Sequence, residues 1–136
     1  MTALAKYLVV LLLVLAPLGV AAGQRVASSD VAVVSPDRVK VLLENEHVRV
    51  LEYTLQPGER DQWHTHPAKV SYVVDGGSLR IHLADGTSFL STEVAGRAEW
   101  REALPRHYAE NVGKTPVRIV LVEVKPPRGE TGAPAS

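Results

Sequence analysis

Two histidines separated by a single residue, His64 and His66, are the side chains of this sequence best suited to chemistry. If the chain after Trp63 is extended, alternate side chains leave the same face, so both imidazoles point one way. Such a pair can chelate a divalent cation, provided that at least one more ligand arrives from elsewhere in the fold. His107, just beyond the turn signal at Pro105, is the natural third donor. The plainer alternative is a pair of solvated or hydrogen-bonded histidines beside a loop. Cysteine is absent, which excludes disulfides, a thiol nucleophile, zinc knuckles and iron–sulfur ligation. No HExxH, GxSxG or dinucleotide-binding fingerprint occurs, and although Gly113-Lys114-Thr115 imitates the end of a phosphate loop, Tyr108 stands where its first glycine belongs.

Several neighbours are candidates for the same site. Tyr72 shares parity with His64 and His66 and lines the pocket if no irregularity intervenes. His82 lies on the opposite face of its segment from Leu79, Ile81 and Leu83, and lines the pocket in one of the two possible orientations of that segment. Glu93, Glu99 and Glu110 could orient a ligand imidazole from behind. Trp63 points away from His64 and is expected to pack against a neighbouring sheet or a partner subunit.

The elements that must position these residues are short and β-like. Segments 39–43, 48–55, 70–74, 79–83, 88–94 and 117–124 are Val-, Ile- and Leu-containing runs separated by turn residues, among them Pro57-Gly58, Asp75-Gly76-Gly77 and Asp85-Gly86. Asp-Gly between such runs is a strong hairpin signal. Six or more short strands at regular spacing argue for an antiparallel sandwich or barrel. Segment 98–104 is made of good helix formers, yet over so few residues tertiary pairing overrides propensity; strand-plus-loop is favoured there, a short helix being the alternative.

Length and charge narrow the class further. At 136 residues the chain holds one domain, and 15 Lys+Arg against 15 Asp+Glu leave no basic footprint for nucleic acid. Lys6 precedes an apolar run from Tyr7 to Val20, followed by Ala21-Ala22-Gly23, the pattern of a cleaved secretory signal peptide. The rival reading is an uncleaved anchor. The expected organisation is a signal-peptide helix over 1–23, a tether or first strand over 24–35, the folded domain over 36–125 and a Pro/Gly/Ala-rich tail over 126–136. The mature protein is then exported, periplasmic or secreted, with no stable membrane span after cleavage. Val-rich edges at the strands expected to begin around Val31 and Val39 favour pairing with a second copy as a homodimer.

Most of the mature chain resembles the cupin family. The first cupin motif, G-x5-H-x-H-x(3 or 4)-E-x6-G, falls on Gly58, His64, His66 and Gly77, and the second, G-x5-P-x-G-x2-H-x3-N, on Gly96, His107 and Asn111. The motif glutamate is missing: its place is Val70 with the shorter spacer and Ser71 with the longer. The inner Pro and Gly of the second motif are replaced by Glu102 and Leu104. Residues 44–50 and 117–123 are also similar to small bacterial cupins, some of them linked with β-alanine degradation.

This resemblance implies an all-β fold, a single-domain jelly-roll barrel of two antiparallel sheets with the histidines inside one mouth. It implies His64, His66 and His107 as ligands of iron, manganese, zinc or nickel. Three imidazoles with an open position can bind zinc and activate its water, or hold a ferrous ion with room for substrate and oxygen, as in a dioxygenase-like enzyme. A carboxylate at Val70 is expected to strengthen hard-metal binding. The leading expectation is an exported small-molecule-binding cupin with a three-histidine metal centre. The alternatives are a metal-free ligand-binding or sensory module and a chiefly structural subunit.

Overall fold

A computed structural model describes residues 28–127. The signal peptide expected over 1–23, the first part of the tether and nearly all of the tail lie outside the described residues. After a single helical turn, α1 (Val31–Val34), come eight strands: β1 (Val39–Glu44), β2 (Val48–Leu55), β3 (Lys69–Asp75), β4 (Gly77–Leu83), β5 (Ser88–Glu93), β6 (Ala98–Arg101), β7 (His107–Asn111) and β8 (Val117–Val124).

The strands form two antiparallel sheets, one ordered β1-β2-β8-β3-β6 and the other β5-β4-β7. Alternation decides which residues meet between them. On β8 Val117, Ile119, Leu121 and Glu123 are buried, on β2 Leu51, Tyr53 and Leu55, and on β7 His107, Ala109 and Asn111. Leu79 and Ile81 of β4 and Val73 of β3 complete the apolar interior. The inner row of β8 is apolar up to Glu123, whereas that of β7 has a polar residue at each end, His107 and Asn111, on either side of Ala109.

One expectation is corrected here and another, the strand favoured over a short helix at 98–104, is borne out. The chain at Val31 is not the start of a strand: Asp30 caps a helical turn by accepting from Ala32 N at 2.8 Å, and Pro36 follows directly. Burial of Val31 outweighs the mild helix penalty of a β-branched residue. Between the competing readings of 98–104, β6 is extended, because its register with β3 pairs Lys69 with Arg101 and Val70 with Trp100. The motif glycines Gly58 and Gly96 sit in turns at φ +79° and +82°, a conformation that a side chain at either position would strain.

Candidate metal centre

The segment ahead of β3 runs antiparallel to β7 and fixes the first two histidines against the third. His64 N donates to His107 O at 2.8 Å, and His107 N donates back to His64 O at 3.0 Å. Further along the same seam Asp61 N reaches Ala109 O at 3.1 Å and Asn111 N reaches Glu59 O at 2.9 Å. The buried amide of Asn111 donates to the carbonyls of Leu55 and Thr115, tying the start of this seam to the loop before β8. The second-motif Asn is thus a backbone clamp.

All three imidazoles are buried, and their ligand atoms lie within 4.8 Å of one another. Each ring has one nitrogen committed. Nδ1 of His64 donates to Gln62 O at 2.7 Å, Nδ1 of His107 to Pro105 O at 2.8 Å, and Nδ1 of His66 to Glu123 Oε1 at 2.7 Å. Carbonyl and ionised carboxylate oxygens only accept, so the proton of each neutral ring is on Nδ1 and every Nε2 carries a lone pair. The Nε2 atoms of His64 and His66 stand 3.1 Å apart. Two lone pairs at that distance repel unless a cation lies between them, and metal–nitrogen bonds of about 2.0–2.1 Å place neighbouring donors about 3 Å apart. Burial lowers the pKa of all three rings, to about 4 for His66, where it outweighs the hydrogen bond to Glu123. The rings are held in the neutral form that binds metal. The donor set fits a divalent transition metal.

Behind the ligands stand groups that the sequence reading missed. Glu123, with Oε1 on His66, accepts through Oε2 from Arg49 Nε at 2.7 Å and Nη2 at 2.6 Å. Arg49 Nη1 in turn reaches Asp30 Oδ2 at 2.6 Å. Burial works to raise the Glu123 pKa, but the bonds from His66 and Arg49 hold it below the usual value. Asp61 accepts from Tyr53 OH and from Ala109 N, both at 2.7 Å, and lies 3.5 Å from His64 Nδ1. Burial pushes the Asp61 carboxyl up to about 6 against those bonds. Glu93, Glu99 and Glu110 serve elsewhere: the first two hold Arg101, and the third pairs with His82 at 3.1 Å. A sequence signal for Glu123 did exist, because it continues the apolar every-second-residue series Val117, Ile119, Leu121 onto the inner face.

The three histidines open on a cavity of about 260 Å³ between the sheets. Tyr72 and His82 lie outside it. Tyr72 is on the outer face of β3, 47% exposed, because Pro67 interrupts the extended run and the parity of His64 and His66 does not carry across it. Leu79 and Ile81 line the cavity, so His82, on the other face of β4, stacks on Tyr108 with ring centroids 4.3 Å apart. Trp63 packs edge-on against that same Tyr108. The inner positions of β3 are Lys69, Ser71 and Val73, whereas Val70 faces outward opposite Trp100 and Val122. A carboxylate at Val70 would therefore not reach the histidines. Ser71, the other motif position, is fully buried with its hydroxyl turned to Glu99 O.

No family model matches the chain, and no curated protein is significantly similar to it. Solved structures are. A cupin domain from Bordetella pertussis Tohama I is 28% identical over 65% of this chain and 92% of its own, with a TM-score of 0.59. An uncharacterized conserved protein with a double-stranded β-helix domain from Klebsiella pneumoniae is 27% identical, over 69% and 78%, at 0.51. An RmlC-like cupin family protein with a double-stranded β-helix fold from Methanocaldococcus jannaschii, 18% identical over 63% and 77%, matches at 0.52 and shares the fold. The two facing sheets with a cluster of histidines between them define a cupin fold. The first two likenesses support a cupin family assignment, and the third shows the fold alone.

Proposed function

We propose that this protein is an exported, small-molecule-binding cupin in which His64, His66 and His107 hold one divalent transition metal facing the cavity. The observation that carries the reading is the convergence of three Nε2 lone pairs whose rings are each locked through Nδ1. Nitrogen donors favour zinc, iron or nickel over magnesium or calcium. When bound, such an ion supplies a Lewis acid or, if redox-active, the electron chemistry of an oxygenase.

The remaining work falls to the chain. Glu123 and Arg49 fix the orientation of His66. Asp61, at about 6, can hold or release a proton beside Tyr53 near neutral pH. Export is supported by the apolar run and small residues before Gln24, and self-association by the half-exposed Val41, Leu42 and Leu43 on the edge strand β1.

Expression of the full chain in a Gram-negative host, followed by intact mass and elemental analysis of the periplasmic fraction purified without chelator, tests the reading. The expected result is a chain starting at Gly23 or Gln24 with one transition metal bound. A chain retaining Met1 in washed membranes would contradict export. Cavity ligand binding without any metal would favour the metal-free module.

A further inference from the structure

Register places four charged residues in one row across the large sheet. Arg49 pairs with Glu123, Glu123 with Lys69, and Lys69 with Arg101. Directly opposed residues share a face, and like charges in that position repel. Arg49 and Glu123 satisfy each other, and Arg101 is held by Glu93 at 2.7 and 3.1 Å. Lys69 is left over. It is 6% exposed, its side chain lines the cavity, and no carboxylate among the described residues lies within ion-pairing distance of it. The neighbouring Arg101 Nε is buried without an acceptor. An unpaired cation on the wall of a largely apolar cavity is the complement of an anion.

The rest of the wall decides which anion. Leu79, Ile81, Phe89, Leu104, Ile119 and Leu121 form most of the wall, with Asp61 and Glu102 also on it, so a small inorganic anion would leave the apolar surface unfilled. We propose that the cavity binds a small organic carboxylate with an apolar body, its carboxylate held by Lys69 beside the three histidines. This names a ligand class for the site and rests on the reading of the cavity as the ligand chamber of the histidine centre. Lys69 is then the specificity residue, and the apolar wall selects the body of the acid.

Calorimetric titration of the purified, Zn²⁺-loaded protein with hexanoate, hexanamide and inorganic phosphate tests the inference, with bound zinc measured on the same samples. Hexanoate is expected to saturate one site, to bind at least about tenfold more tightly than its neutral amide, as a hydrogen-bonded charge should, and to resist displacement by phosphate. Lys69→Met should lose that discrimination while retaining zinc, and Lys69→Arg should keep most of it. Equal affinities for acid and amide, no saturable hexanoate binding, or discrimination unchanged in Lys69→Met would overturn the inference. The acid–amide comparison in the unaltered protein stands even if a variant does not fold. Discrimination without bound zinc would support the carboxylate site and defeat the metal reading. Bound zinc without discrimination would do the reverse.

Discussion

The carboxylate of Glu123 lies 2.7 Å from Nδ1 of His66 and joins that ring to Arg49 on the neighbouring strand. An imidazole so held presents Nε2 to the cavity in one orientation and with raised basicity. Such outer partners are worth about 10–100-fold in metal affinity. Glu123→Gln should therefore weaken Zn²⁺ binding by about that factor in competition with a chromophoric chelator, with His64, His66 and His107 all still present. Unchanged affinity would show that the Glu123 contact does not orient the ligand.

Lys69 should be maintained at a cost in stability. Burial, reinforced by Arg101, lowers its pKa from 10.5 to about 8, although Glu123 opposes the shift. Between those values the unfolded chain binds a proton that the folded chain has released, so stability rises with pH across the window, and the penalty is fully present below 8. Lys69→Met should be more stable than the parent at pH 7 by on the order of 3 kcal/mol, at about 1.4 kcal/mol per pKa unit. The gap should close as pH rises from 8 towards 10.5. Denaturant melts at pH 7 and 9.5 provide the comparison, and a gap independent of pH would mean that Lys69 is not the group responsible.

Much of the fold is legible in the sequence because its strands obey period 2 and are punctuated by Gly- and Asp-containing turns. The segments read at 48–55 and 117–124 have the same bounds as β2 and β8. His64, His66 and His107 are likewise legible, since spacing survives folding. Phase across an interruption is not. Pro67 resets the alternation, which is why Tyr72 turns outward and Lys69 inward. Glu123 meets His66, and Arg49 meets Glu123, through pairings between strands distant in sequence, and local periodicity gives the face of a residue but not its neighbour.

The division between interior and edge predicts a contrast in stability. Leu51 is completely buried on β2, so Leu51→Ala should cost about 2–5 kcal/mol, depending on how far the cavity collapses. Leu90, 60% exposed on β5, should change stability by no more than about 0.5 kcal/mol on the same substitution. Urea melts of the two variants distinguish them, and similar costs would mean that the layer between the sheets is not the core.

The edge strand β1 offers Val41, Leu42 and Leu43 to solvent beside its unpaired side. If a second copy covers that edge, Leu42→Glu should convert a dimeric mass in light scattering to a monomeric one without unfolding the barrel. A monomeric parent protein would refute the homodimer while leaving the site untouched.

Titration of metal-stripped protein with Zn²⁺ addresses the centre itself, comparing the parent with His64→Ala/His66→Ala and checking by circular dichroism that both remain folded. The account predicts saturation at one equivalent for the parent and no stoichiometric uptake by the double variant. Equal uptake by the two proteins, or no saturable uptake by the parent, would contradict it.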